Sequence, residues 1–150
     1  MKKKRTVHEV AFRLSYDLGT QITPQLGQLA FKPAPMQLRA MRRIWSTGGA
    51  TLLDIARTLN RDKSQVKRLI DELCEVELVK REPNPADKRS KILKLTNKGY
   101  DFFETIEKIE AVFSEQLTAG IPAKDLEAFF RVSDRLSDNL RELNKESSAK

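Results

Sequence analysis

The chain has one cysteine, Cys74, and one histidine, His8, in 150 residues. A lone thiol forms no internal disulfide and no Cys-rich metal site, so stability has to come from packing, as suits a reducing compartment. A lone histidine near the chain start lacks the partners that a catalytic or zinc site needs. His8 therefore reads as a surface or dimer-interface residue. No Gly-rich phosphate loop, His/Cys cluster or nucleophile–base spacing occurs, so no enzyme, no cofactor and no metal centre are expected. Long apolar runs are missing too: nothing approaches the roughly 18 residues of a membrane span. The basic start "MKKKR" runs into "TVHEVAFRLSYD", which is too polar for a signal sequence. A cytoplasmic protein with no membrane partner is the expectation. Internal repeats and low-complexity linkers are also absent.

What is present is a chain of single-domain length with 39% hydrophobic and 33% charged residues, enough to bury a real core. The formal net charge of +7 is unevenly spread. Residues 1–98 carry the excess of Lys and Arg, whereas 99–150 carry more Asp and Glu. A polyanionic partner would meet the first two-thirds; the charge alone would equally serve solubility.

Apolar residues at three- and four-residue steps, Val10, Ala11, Leu14, Leu18 and Ile22, continuing through Leu26 and Leu29, describe an amphipathic first helix. Pro24 removes one backbone donor, so a kink or break near Thr23 is expected, with "FKPAP" ending the segment. A second helix fits "MQLRAMRRIWST" and stops at Gly48 and Gly49. Thr51 caps a short third helix, "LLDIARTL". Asp62 caps a fourth, in which Val66, Leu69, Ile70 and Leu73 form an apolar stripe. Lys63, Ser64, Gln65, Lys67 and Arg68 crowd its first two turns. Residues 79–82 and 91–95 are short extended runs, separated by "PNPAD", and read as a two-stranded hairpin with Lys88 and Arg89 at its tip. Thr96 caps a helix carrying Phe102, Phe103, Ile106, Ile109, Phe113 and Leu117, which "AGIP" ends. A final helix carries Leu126, Phe129, Phe130, Leu136, Leu140 and Leu143, and the tail "NKESSAK" should fray.

Two short helices, the second opening with small polar and basic residues, followed at once by a basic hairpin, describe a winged helix-turn-helix. A helix fits the major groove, its first side chains reach base edges, and its dipole favours nearby phosphates. Hairpin cations add phosphate or minor-groove contacts. The fold class expected is mainly α with a small β-hairpin wing, flanked by long terminal helices.

The run from "TLLDIARTLNRDKSQVKRLIDEL" through "ELVKREPNPADKRSKILKLTNKG" resembles the MarR family of bacterial transcription regulators. The D-x-R followed by L-T-x-x-G falls at Asp87, Arg89, Leu95, Thr96 and Gly99, and "LVKR" and "NPAD" precede it. The resemblance spans residues 35–99. It implies a DNA-binding lobe over about 32–99 and dimerisation helices over 5–31 and 100–146. It further implies that Ser64, Gln65, Lys67 and Arg68, with Lys63, face double-stranded DNA. Gln65 is chemically suited to adenine and Arg68 to guanine or phosphate. In the wing, it makes Arg89 the minor-groove residue, Asp87 the carboxylate that orients Arg89 by a charge-assisted hydrogen bond, and Lys88 and Lys91 phosphate neighbours.

A homodimeric repressor on a pseudo-palindromic operator follows from the resemblance, with half-sites about 10 base pairs apart. A small aromatic or amphipathic effector is implied in the same way. A winged-helix module for protein or RNA contact, or a regulator governed by a partner protein, remain the other readings. The sequence also departs from the family pattern: Glu77 stands where a helix-ending glycine is common, Ala34 where a capping threonine is, and Arg61 at an often apolar turn position. Trp45 and Phe102, Phe103, Phe113, Phe129 and Phe130 read as core, the family's ligand cleft being their alternative. Cys74 reads as a packing thiol beside the apolar stripe.

Overall fold

The computed structural model describes residues 5–148. Among these, six helices and three short strands follow in the order α1 (Val7–Leu26), α2 (Pro35–Thr47), β1 (Ala50–Thr51), α3 (Leu52–Leu59), α4 (Lys63–Glu75), β2 (Val79–Pro83), β3 (Lys91–Leu95), α5 (Asn97–Thr118) and α6 (Ala123–Ser148). The chain forms two compact units that divide within α5, between Ala111 and Val112.

Local capping sets most boundaries in the first unit. Thr6 and Glu9 form a reciprocal capping box at the start of α1, and Thr51 and Asp54 do the same for α3. Asp62 accepts from the Gln65 N–H at the start of α4, and Thr96 Oγ1 accepts from the Gly99 N–H at the start of α5. Ala34 has no side chain to cap α2, and only half of the box remains: its N–H donates to Gln37 Oε1 at 2.8 Å. Gln37 is 4% exposed, and its Nε2 donates to Glu72 on α4 at 2.9 Å. This buried amide is satisfied on both sides and ties the start of α2 to the fourth helix.

The end of α4 carries out with Glu77 what a glycine commonly does at a left-handed helix end. Glu77 takes φ +61°, its N–H reaches Cys74 O at 3.0 Å, and the Leu78 N–H reaches Leu73 O at 2.9 Å. Those two bonds are the Schellman closure, formed around a residue that pays a steric cost there.

Pro24 does not break α1 near Thr23. The helix continues to Leu26 past the missing donor, and the Gly27 N–H still closes on Thr23 O at 2.9 Å. Leu29 lies beyond the helix, in the turn that follows. The tail from Asn144 to Ser148 is helical rather than frayed, and residues 149–150, like 1–4, lie outside the described residues.

The wing is a three-stranded antiparallel sheet, order β1-β3-β2, and not the two-stranded hairpin that the sequence suggests. Val79 to Pro83 pair with Leu95 to Lys91, while Ala50 and Thr51 pair with Leu93 and Ile92. Leu93 and Leu95 point into the core and are buried. The remaining core of this unit is built from Ala40, Met41 and Ile44 of α2, Ile55 and Leu59 of α3, Val66, Ile70 and Leu73 of α4, and Phe103 of α5. Gly99 sits where α5 passes the chain entering β2: a Cβ there would stand 2.0 Å from Leu78 O. Close backbone approach thus explains the glycine of the L-T-x-x-G run. Arg42 joins α2 to α5 through Glu107 and Glu110 and lies 5.4 Å over the Phe103 ring.

The core expectation holds for Phe103, and Phe102 packs half-buried against the core; Phe113 is half-buried, and the expectation fails for Trp45, Phe129 and Phe130. Trp45 packs at 5.4 Å on Phe103 yet is 43% exposed. In the second unit Phe129 and Phe130 are 57% and 58% exposed, and Val132 and Leu140 are exposed as well. No residue of α1 is buried, and Phe12, Leu14 and Tyr16 face solvent there. Both terminal helices have the apolar periodicity of packed helices, and among the described residues of the single chain these apolar side chains stay uncovered. No described helix is long and apolar enough to cross a membrane.

Candidate nucleic-acid interface

The fourth helix is held by its apolar side and presents its polar side. Val66, Ile70 and Leu73 are buried, while Lys63, Ser64, Gln65, Lys67 and Arg68 are exposed. Asp62 Oδ1 takes the Ser64 hydroxyl at 2.6 Å and the Gln65 N–H at 2.9 Å. These bonds, the hydroxyl foremost, hold its carboxyl below the usual range, so the cap stays charged. Lys67 pairs with Asp71 at 2.7 Å, and Arg68, 87% exposed, approaches Glu72 at 3.7 Å.

The wing turn is stiffened by two side chains that bond the main chain. Asn84 Oδ1 accepts from the Ala86 N–H at 3.0 Å, and its Nδ2 donates to Ser90 Oγ at 2.7 Å. Asp87 Oδ1 accepts from the Arg89 N–H at 2.9 Å. The orienting bond from Asp87 therefore acts on the main chain of Arg89 and not on its guanidinium, a short-range turn contact that the charge pairing had obscured. Lys88 and Arg89 stand exposed at the tip.

A groove of about 670 Å3 runs between the start of α4 and the wing. Lys63 and Lys67 line it from the helix, Arg89 and Lys91 from the wing, with Asp87 beside them. Five of the sequence-derived site residues thus share one concave surface. Gln65 instead lines a separate notch of about 210 Å3 with Met36, Leu59, Arg61, Val66 and Leu69. Ser64, Arg68 and Lys88 are exposed and line neither cavity.

Two charged groove residues, Asp71 and Arg81, are not among the site residues expected from the sequence. Arg81 of β2 reaches across to Asp71 of α4 at 2.5 Å, and both line the groove. Asp71 was readable as the i+4 partner of Lys67, but its second partner comes from another element, and only the fold brings it there. Cys74, half-buried, has Arg81 Nη1 3.3 Å from its sulfur. Burial pushes its thiol up, against the opposing pull of Arg81, which leaves it protonated and poorly nucleophilic. Among the described residues, no group of three His, Cys, Asp or Glu side chains could hold a metal ion.

Residues 35–91 match the model of the MarR family, a stretch that runs from α2 into β3 and contains the whole groove-forming segment up to Lys91. The fold is shared with solved structures of low sequence identity. A MarR protein from Peptoclostridium difficile is 20% identical, with a TM-score of 0.79 over 95% of this chain and 92% of that one. The MepR–DNA complex of S. aureus is 20% identical, with a TM-score of 0.77 over 91% and 99%. A mutant MarR from E. coli, complexed with operator DNA, is 20% identical, with a TM-score of 0.75 over 87% and 92%.

Proposed function

We propose that this chain, whose residues 35–91 match the model of the MarR family and whose fold is that of solved MarR proteins, is a sequence-specific, DNA-binding transcriptional regulator of that family. The observation that carries the reading is the groove: one surface joins the first turns of α4 to the wing and gathers Lys63, Lys67, Arg81, Arg89 and Lys91. The helix supplies side chains of base-reading chemistry, Gln65 and Arg68, and the cations supply phosphate contacts on either side. Two solved proteins of this fold are complexes with DNA, which supports duplex DNA as the partner; in this reading α4 enters the major groove and Arg89 the minor groove. Lys88 and Lys91 contact flanking phosphates in this reading.

The protein acts as a homodimer. Exposed apolar residues on α1 and α6, among them Phe12, Phe129, Phe130 and Leu140, need a cover that the described residues of the single chain do not provide, and a second copy supplies one by symmetry. Two copies present two recognition helices to a pseudo-palindromic operator with half-sites about one helical turn apart. Occupying a promoter in this way represses it. A small aromatic or amphipathic effector releases the operator by binding more tightly to a dimer whose reading heads have the wrong separation.

Arg89→Ala tests the reading. Duplex binding should fall at least tenfold, while the melting temperature stays unchanged, because Arg89 is exposed at the wing tip. Duplex binding equal to that of the wild type would favour a winged-helix module for protein or RNA contact.

A further inference from the structure

The groove contains a carboxylate that reading DNA does not call for. Asp71 accepts from Lys67 Nζ at 2.7 Å and from Arg81 Nη2 at 2.5 Å. Lys67 lies one turn earlier on α4 and Arg81 on β2, so a single carboxylate engages cations of both the recognition helix and the base of the wing. The two cations, Lys67 first, hold the Asp71 carboxyl below the usual range, and it is ionised at neutral pH.

The lining of the groove includes five cations and two carboxylates. Asp87 is accounted for by the turn that it bonds. Asp71 serves no turn: it sits on a surface that faces a polyanion in the DNA reading, and it occupies two of the five cations there. A phosphate can recruit Lys67 or Arg81 only by competing with Asp71. That competition weakens backbone contact on every duplex alike, and it leaves base-edge contacts from Gln65 and Arg68 untouched, since neither bonds Asp71. Discrimination between partners is often built from such a repulsive element as well as from attractive ones.

Resting on the DNA reading, we propose that Asp71 is a specificity-determining residue, which restrains Lys67 and Arg81 from sequence-independent phosphate contact. Removing the charge while keeping the shape should raise nonspecific affinity and counterion release together. Each freed cation adds about 0.9 to the slope of log affinity against log salt, or about 3.5-fold over a fourfold change in salt and about 12-fold for both.

The experiment measures binding of the full chain to a random-sequence duplex across a fourfold salt range. Asp71→Asn should bind more tightly than wild type and with the steeper slope. The double variant Asp71→Asn, Lys67→Gln should bring the slope about halfway back. Asp125→Asn, which adds the same charge on α6 outside the groove, controls for net charge and should leave the slope as in wild type. An Asp71→Asn slope equal to that of wild type or of Asp125→Asn would overturn the proposal. So would weaker binding at every salt concentration with an unchanged melting temperature, which would make Asp71 a strut for the wing. Wild type that binds no duplex at any salt would defeat the DNA reading and this proposal with it.

Discussion

Replacing Gly99 with Ala adds one methyl group at the tightest point of the fold. An ideal Cβ at Gly99 stands 2.0 Å from Leu78 O and 3.0 Å from the Leu78 carbonyl carbon. Ordinary carbon–oxygen contact needs well over 3 Å, so either the start of α5 or the strand entry at Leu78 must move by about 1 Å. Neither moves freely. Leu78 is 1% exposed, its carbonyl accepts the Thr96 N–H at 3.1 Å, and its N–H closes the end of α4 on Leu73. Overpacking of a rigid core costs about 1–3 kcal/mol and sometimes more, and a backbone clash with lost hydrogen bonds belongs at the upper end, about 3 kcal/mol. For a chain of this size that corresponds to a melting temperature lower by about 6–12 °C. Thermal and urea denaturation followed by circular dichroism measure it. Lys98→Ala is the control: it removes a bond to Val76 O at 2.9 Å and a loose pair with Glu77 at 3.9 Å, both at an exposed side chain, and should cost under about 1 kcal/mol. A Gly99→Ala protein as stable as wild type would refute the assignment of this glycine to close backbone approach.

Glu77→Gly should stabilise the protein by about 0.5–1 kcal/mol, because the left-handed cost of a side-chain-bearing residue at φ +61° outweighs the extra unfolded-state entropy of glycine; urea denaturation would show a higher midpoint, and a lower one contradicts the cap argument. Glu82, bonded first to Lys80 and then to Lys94, has its carboxyl lowered from 4.5 to about 2. Its folded value lies below the unfolded one, so its contribution is fully present above pH 4.5 and disappears as the pH falls towards 2. The stability difference between wild type and Glu82→Gln should therefore shrink between about pH 6 and pH 2.5 in paired melts, and a difference constant over that range would be inconsistent. Leu140, 61% exposed on α6, is a dimer-face residue in the proposed assembly: Leu140→Glu should shift sedimentation towards the monomer and weaken duplex binding at least tenfold, whereas unchanged sedimentation would remove α6 from the interface.

Legibility in the sequence followed the range of the interactions. Thr51, Asp62 and Thr96 cap helices through contacts three residues away, and the sequence displays such contacts directly. The apolar stripe of α4 was equally plain, and so was the basic character of its first turns. Strand β1 was not, since two residues, Ala50 and Thr51, become a strand only by pairing with Leu93 and Ile92 some forty positions on. The bond between Asp71 and Arg81 was hidden for the same reason. Pro24 misled because one lost i→i−4 bond does not by itself end a helix: the chain stays helical to Leu26, and the Gly27 N–H bonds Thr23 O beyond it. The aromatic residues of α6 misled in another way: helical periodicity shows that a face is to be covered, and it does not say whether the same chain covers it.

The most direct test of DNA reading is selection of the full chain on a labelled pool of random duplexes, with sequence recovery at two salt concentrations. Recovery of an inverted repeat with half-sites about 10 base pairs apart, bound with steep salt dependence, is the expected result. Salt-sensitive binding that enriches no sequence would reduce the groove to a nonspecific basic surface and contradict the reading of α4 as a recognition helix.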